Sequence, residues 1–421
     1  MYVLACAFAV AAGCSTSSSD GDPDGGPAVN GDAGGGADVD DLGDDDSGDA
    51  GFVFETGPDV YTNPALPSVL LTAVAAGQMP SAYATVFQDG AWTALTMIGD
   101  NESSGGGGGV IPIANDEAVA VARTYGGAAV NSVWNGIWPT LYQIDTLDDT
   151  FVSAPSAAAP GAFVAEEASL NPYEITLDTF DQSAPTWSTG EITGASGDAR
   201  CIPVVGVTGG GNPVVLYAST PAATTTYQWV ARTGTTWNAA ASVPGVATLS
   251  SSTGTPTVAA VTRAGLDQIV AVFLTGGPTT FALQSSTLSA GAWSAAPTVV
   301  ATDVVATGFG APFSLAAMPD GRVALAYVDT SSAIQVAFFD GTTWGPFSAV
   351  PSAVPVGTLA PLSIAHGIAG DVLELVFIDQ SYFIRHARLT SQASDSASTW
   401  TAPVVVDTSQ TYGSVSIAST P

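Results

Sequence analysis

Tryptophan recurs along this chain at a near-constant interval. Trp92, Trp138, Trp187, Trp237, Trp293, Trp344 and Trp400 are separated by 46, 49, 50, 56, 51 and 56 residues. A period of this size marks a repeat architecture, in which each unit buries its apolar faces only against its neighbours. Most of these rings follow a tight turn, as in Asp89-Gly90-Ala91-Trp92, Gly234-Thr235-Thr236-Trp237 and Gly341-Thr342-Thr343-Trp344. A large ring at the same place in every unit is expected to pack between units rather than to stack on a ligand.

The stretch between two tryptophans reads as four short strands. In residues 313–350, Phe313 to Met318 alternates as a strand, and Pro319-Asp320-Gly321-Arg322 carries both proline and Asp-Gly turn signals. Val323 to Val328 and Ala333 to Phe339 follow, and Trp344 opens a short fourth strand ending near Val350. Composition agrees. Only 11% of residues are charged, there is no lysine, and 47 glycines and 27 prolines favour turns over helices. A second marker checks the register: Tyr217, Phe273, Tyr327 and Phe377, near the ends of second strands, step by 56, 54 and 50 residues.

The ends of the repeat region are complementary. Before Trp92 only Val69 to Ala75 and Tyr83 to Gln88 read as strands. After Trp400 one strand, Val415 to Ala418, is left over. If that strand completes the first unit, no sheet edge is left open. The expected fold is all-β: a seven-bladed β-propeller of four-stranded blades over residues 58–421, with the C-terminal strand closing the first blade. The repeats disagree at two places. Arg123 stands where other units carry the second-strand aromatic, and Glu166-Glu167 is expected to break the strand pattern within the least regular region, residues 140–200. Gly105 to Gly109 reads as a loop between the first two units.

The N-terminus reads as an address. Residues 2–13 are apolar but too short to span a bilayer, and they end in Val10-Ala11-Ala12-Gly13-Cys14-Ser15. This resembles a bacterial lipoprotein signal over residues 1–14, which implies diacylation of Cys14 and export to the outer membrane or cell surface. Ala11 stands where leucine is commoner in such signals, and no basic residue precedes the apolar core. Residues 15–57 read as a disordered Asp/Gly/Ser-rich tether; eleven aspartates and no base fall within 15–49. Asp20-Gly21-Asp22-Pro23-Asp24-Gly25 imitates half a calcium loop, but Gly31 stands where its last ligand would be.

Charge and residue inventory exclude several chemistries. A net charge of −31 repels phosphate backbones and disfavours both nucleic-acid binding and electrostatic docking on anionic lipid. Without lysine there is neither a Schiff base nor a phosphate-loop lysine. His366 and His386 carry no zinc motif, and Cys201 lies in an apolar run as a small buried hydrophobe. No cofactor and no metal are expected, and the chain is expected to be a monomer.

Gly341-Thr342-Thr343-Trp344 and Gly234-Thr235-Thr236-Trp237 keep the Gly-x-x-Trp half of a motif whose Ser-x-Asp half is missing. This resembles a degenerate Asp-box, the repeat of sialidase-like propellers. That resemblance implies the fold. The activity would need three arginines gripping a carboxylate, and Phe383-Ile384-Arg385 is not the signature arginine motif of such enzymes. The expected function is therefore a non-catalytic cell-envelope lipoprotein presenting a propeller for glycan or protein binding. The alternatives are a sialidase-like glycoside hydrolase, whose arginines would converge near the central axis, and a structural or adhesion component. Lectin-type propellers bind sugars between blades with Trp, Tyr, Arg and Glu. Arg123, Arg232 with Trp229, and Arg385 are the candidates of that kind.

Overall fold

The computed structural model describes residues 69–419, less the connecting stretches 76–80, 100–107, 124–128, 135–141, 144–148, 169–173, 197–201, 220–223, 251–256, 306–311, 354–361, 367–372 and 390–398 and several shorter ones. Cys14, the tether, Trp138, Arg200 and Cys201 lie outside the described residues. The fold is carried by the compact unit Thr62–Pro421.

The strands sort into antiparallel units that follow one another along the chain. Two of them show the plan. The sixth unit runs Phe313–Ala317, Val323–Val328, Ile334–Phe339 and Ser348–Ala349, and the seventh Leu362–His366, Leu373–Ile378, Ile384–Leu389 and Val404–Asp407. The second strands of both are buried at every residue, as a strand covered on both sides must be, whereas each third strand has two partly exposed residues. The sixth unit matches its reading to within a residue, except that Trp344 makes only an isolated bridge to Phe339 before pairing resumes at Ser348–Ala349. The fourth and fifth units join into one hydrogen-bonded sheet through the short strand Leu249–Ser250.

The leftover strand at the C-terminus spans Tyr412–Ser419 and pairs antiparallel with Val69–Ala75, Val69 opposite Ser419. It thereby forms one edge, beyond Val69–Ala75, of the first unit's sheet. The corresponding edge strands also touch from unit to unit. Tyr412–Ser419 lies beside Gly108–Ala114, which lies beside Ser156–Ala158, and the series continues through Val204–Val207, Val258–Thr262, Phe313–Ala317 and Leu362–His366 back to Tyr412–Ser419. Gly108 and Gly109 are thus not loop, because they open the first strand of the second unit opposite Ala122 and Val121.

The register marker holds in space. Tyr217, Phe273, Tyr327 and Phe377 are buried at one position of the second strand, paired with Gln228, Gln284, Gln335 and Arg385. In the third unit that position is Glu166, paired with Thr176. Glu166 and Glu167 do not break the strand. Gly161–Ala168 runs through them, and both are fully buried. The irregularity of this unit lies in its outer strand Thr186–Ser196, whose pairing to Glu174–Asp181 shifts register twice.

The tryptophans mark the ends of third strands, and most of those with a described ring pack across to the preceding unit. Trp344 donates its indole N–H to Ser285 Oγ of the fifth unit at 2.9 Å. Trp293 meets Trp229 of the fourth unit, ring centroids 6.0 Å apart at 75°. Trp400 packs in the core shared with Val336 of the sixth. Trp344 and Trp293 meet equivalent positions of the neighbour's third strand, Ser285 opposite Val272 and Trp229 opposite Leu216, so a single geometry explains both contacts.

Several turns are closed by aspartate. The carboxylates of Asp329, Asp340, Asp379 and Asp407 each accept the backbone N–H two residues on and the hydroxyl or neighbouring N–H groups around it. Part of the chain's acidity thus goes into holding turns rather than into an open field.

Candidate functional site

The sequence pairs Arg232 with Trp229, but the structure separates them. The two are three residues apart in the strand Thr224–Thr233, so they project from opposite faces of the sheet. Trp229 faces Trp293 of the fifth unit, whereas Arg232 faces the third unit. The period-2 alternation of a strand carries this distinction and was available from the sequence alone.

Arg232 has instead a partner and an aromatic wall. Its Nη1 donates to Glu191 Oε2 at 2.5 Å, and the Trp237 indole N–H donates to Glu191 Oε1 at 2.8 Å. The guanidinium lies over the Phe163 ring, 5.2 Å from its centroid. The cluster spans the junction of the third and fourth units. The side chains of Arg232 and Glu191 are 18% and 35% exposed, so solvent and solutes reach both. Arg232 Nε is buried and has no hydrogen-bond partner among the described residues.

Glu191 is aimed here by the double register shift of its strand. Gly190 and Gly194 flank it at φ 70° and 74°, a region open to glycine. The Gly190 N–H is held by the buried carboxylate of Asp178 at 2.7 Å. A bulge that redirects one side chain toward a neighbouring unit is a common device beside binding sites. The result is a charged donor and a charged acceptor side by side, with Phe163 and Trp237 beside them. Adjacent hydroxyl groups on an apolar ring fit that pattern: one accepts from the guanidinium, the next donates to the carboxylate, and the C–H face rests on an aromatic ring.

The other candidates lie elsewhere. Arg385 Nε donates to Asp379 Oδ2 at 2.6 Å within its own unit. Arg123 ends the strand Glu117–Arg123 with its backbone opposite Ala129. Both stand at the end of their units that carries the second-to-third strand turn, away from the tryptophan end where Arg232 lies. Arg263 is a structural staple between the fifth and sixth units. Its Nε donates to Gly321 O at 2.6 Å, its Nη2 to Asp340 O at 3.1 Å, and its Nη1 to Gln268 Oε1. Among the described arginine side chains, Arg232, Arg263 and Arg322 lie in different units, and Arg385 and Arg388, though both in the seventh, bind different carboxylates, whereas the glycoside hydrolase reading required three arginines to converge. Glu191, which lies 41 residues from its arginine, carries no sequence mark of this pairing.

No known protein family matches this sequence, and no characterised protein does. Solved structures do match. The BP39L lectin from Burkholderia pseudomallei aligns over 82% of this chain and 99% of its own, at 13% identity and a TM-score of 0.61. The lectin of Aleuria aurantia, described as a six-bladed β-propeller with a novel mode of fucose recognition, aligns over 73% of this chain and 98% of its own, at 12% identity and a TM-score of 0.50. At such identities the likeness is one of fold, and that fold is an all-β propeller.

Proposed function

We propose that this protein is a non-catalytic, carbohydrate-binding β-propeller, and that Arg232, Glu191, Trp237 and Phe163 form a sugar site between adjacent blades. The observation that carries the proposal is the Glu191–Arg232 pair, held beside two aromatic rings and open to solvent at a unit junction. An ion pair kept only for stability is a weak device, because well-packed apolar residues serve as well or better. An accessible pair set against aromatic side chains has instead the donors, acceptors and flat surface that a sugar ring needs. The resemblance of fold to two lectins agrees with this reading.

The propeller is proposed to have seven blades, one more than the Aleuria aurantia lectin. In support, these edge strands neighbour one another in a continuous cycle, with Tyr412–Ser419 belonging to the first unit. We further propose that Cys14 carries a lipid and that residues 15–57 tether the propeller to the envelope. The support is the run Val10-Ala11-Ala12-Gly13-Cys14-Ser15 at the end of an apolar segment. Metabolic labelling with a fatty acid should mark the wild-type chain in a bacterial host and not Cys14→Ser; equal labelling of both refutes the anchor.

The sugar site is tested by a glycan array with the full chain, followed by titration of the best ligand into Arg232→Ala and Glu191→Gln. Binding that falls at least tenfold in both variants while their melting temperatures remain near wild type supports the site. An array with no bound glycan overturns the function, and unchanged affinity in Arg232→Ala overturns the site.

A further inference from the structure

A second junction departs from the repeat more sharply than the first. In the seventh unit Glu374 is paired across the strands with Arg388, and His386 lies two residues before Arg388 on the same face. The positions equivalent to Glu374 in the other units with described side chains are Leu70, Phe163, Val214, Val270 and Ala324, and none of their partners is charged. The third position, His386, corresponds to Ala84, Leu177, Trp229, Ser285 and Val336. One unit of the repeat has therefore replaced apolar and neutral residues with an acid, a base and an imidazole.

These three groups are bound together and face the first unit. Glu374 is fully buried; its Oε1 accepts from Arg388 Nε and Nη2, both at 2.7 Å, and its Oε2 lies 2.7 Å from His386 Nε2. Arg388 Cζ lies 4.9 Å from the centroid of the Phe87 ring, and the Trp92 ring stands at 90° to His386 with centroids 5.1 Å apart. The Arg388 side chain remains 30% exposed, whereas Glu374 is fully buried. Trp92 Nε1 is buried with no acceptor among the described residues, whereas the equivalent N–H groups of Trp237 and Trp344 bond to Glu191 and Ser285. Trp187, Trp293 and Trp400 also lack an acceptor, so it is the charged trio that singles out this junction.

A buried cluster of this kind is no more stable than the apolar side chains that fill the same place in the other units. Departures from a repeat's own packing rule that bring no stability are expected where a protein binds something. We infer that the junction of the seventh and first units is a second binding site for a neutral, polyhydroxylated ligand such as a sugar ring. Arg388 is its exposed donor, Glu374, itself bonded to His386, holds that guanidinium in place, and Phe87 and Trp92 form the apolar wall. The inference rests on the carbohydrate reading above. It adds a site whose residues come from both ends of the repeat region, so that an occupied site would draw those ends together. A neutral ligand is favoured because the Glu374–Arg388 pair leaves no net charge for an anionic sugar, and the chain's net charge of −31 repels one.

The indole N–H resonances of the full-length, nitrogen-15-labelled protein report each junction separately once Trp92→Phe and Trp237→Phe assign two of them. Methyl glycosides of neutral hexoses and 6-deoxyhexoses are the probes. Both resonances should shift in the wild type. Arg388→Ala should abolish the Trp92 shift and leave that of Trp237, and Arg232→Ala should do the reverse, so each variant carries its own folding control. Should Arg388→Ala fail to fold, Glu374→Gln replaces it, with at least a fivefold loss of affinity at the Trp92 site expected. A Trp237 shift with an unmoved Trp92 resonance overturns the second site and leaves the carbohydrate reading standing. If neither resonance moves with any glycoside, both fall.

Discussion

Gly341 lies directly against the guanidinium of Arg263. A Cβ at that glycine would overlap Arg263 Nη1 and stand 2.6 Å from Nη2, and the residue has φ +112°. The Gly-x-x-Trp repeat therefore has a local cause in the sixth unit: the turn before Trp344 must lie close to an arginine of the fifth. Arg263 is not free to move aside, since it is bonded to Gly321, Asp340 and Gln268.

Gly341→Ala is accordingly expected to destabilise the fold by about 1–3 kcal/mol, through backbone strain at positive φ and displacement of a bonded side chain. Urea unfolding of the wild type, Gly341→Ala, Arg263→Ala and the double variant checks this. The double variant should be less destabilised than the sum of the single ones, because the clash needs both partners. Strict additivity would show that the contact carries no energy.

Asp329 sets part of the acid limit of stability. Burial alone would raise its carboxyl, but hydrogen bonds from Ser331, Ala333 and Gln335 outweigh that and hold it below the ordinary range. A carboxyl lowered by folding contributes stability above its unfolded value, about 3.9, and loses it as pH falls through the folded value. Asp329→Asn should therefore be less stable than wild type at pH 7, and the difference should shrink below about pH 4. Unfolding free energies measured from pH 7 to pH 2.5 give the comparison. A difference that stays constant over the range would exclude this linkage.

The reading of strands and of their register was legible because repetition makes it redundant. Tyr217, Phe273, Tyr327 and Phe377 could be aligned before any was placed, and the structure puts them at one pairing position. The sites were not legible for the opposite reason. Glu191 reaches Arg232 only through two register shifts, and Glu374 reaches Arg388 only through strand pairing, so neither partner leaves a mark at fixed spacing. Trp229 and Arg232 lie three residues apart in sequence, but the alternation of a strand places them on opposite faces. Glu166 and Glu167 looked like an interruption because composition favours exposed carboxylates, yet the strand carries both into the interior.

Tyr217 sets an alkaline limit. Burial pushes its phenol up from 10.0 to about 12. A group whose value is raised by folding contributes stability that is complete below the unfolded value and is lost as pH rises through the folded one. Tyr327 and Tyr412 shift the same way, through burial first and then hydrogen bonds to Asp303 and Asp407. The protein should hold its stability to about pH 10 and lose it steeply beyond. Tyr217→Phe keeps the ring and removes the proton, so its decline above pH 10 should be shallower. The tyrosinate absorbance of Tyr217, read as wild type minus Tyr217→Phe, should rise together with unfolding; a rise ahead of unfolding would contradict the buried phenol.

The strand Tyr412–Ser419 offers the sharpest test of the ring. It pairs with Val69–Ala75 along seven residues, buries Ile417 and Ala418, and is pinned at its start by Tyr412, whose hydroxyl donates to Asp407 Oδ2 at 2.7 Å. Deleting residues 412–421 would expose one whole edge of Val69–Ala75, and with it Val69, Leu70 and Leu71, which are fully buried in the intact chain. An unpaired apolar edge strand is a template for association with other chains. The truncated protein is expected to aggregate or to elute as higher oligomers in size-exclusion chromatography. A synthetic peptide of residues 410–421, present during refolding, should restore the elution position of the intact chain, because it supplies the missing edge by strand addition. Tyr412→Phe is the milder variant. It removes one hydrogen bond to a charged acceptor, for an expected loss of about 1.5–3 kcal/mol, and leaves the pairing in place. A truncated chain that elutes like the intact one, with an unchanged melting temperature, would show that the first unit is complete without its C-terminal strand, and the ring proposed above would then have to close some other way.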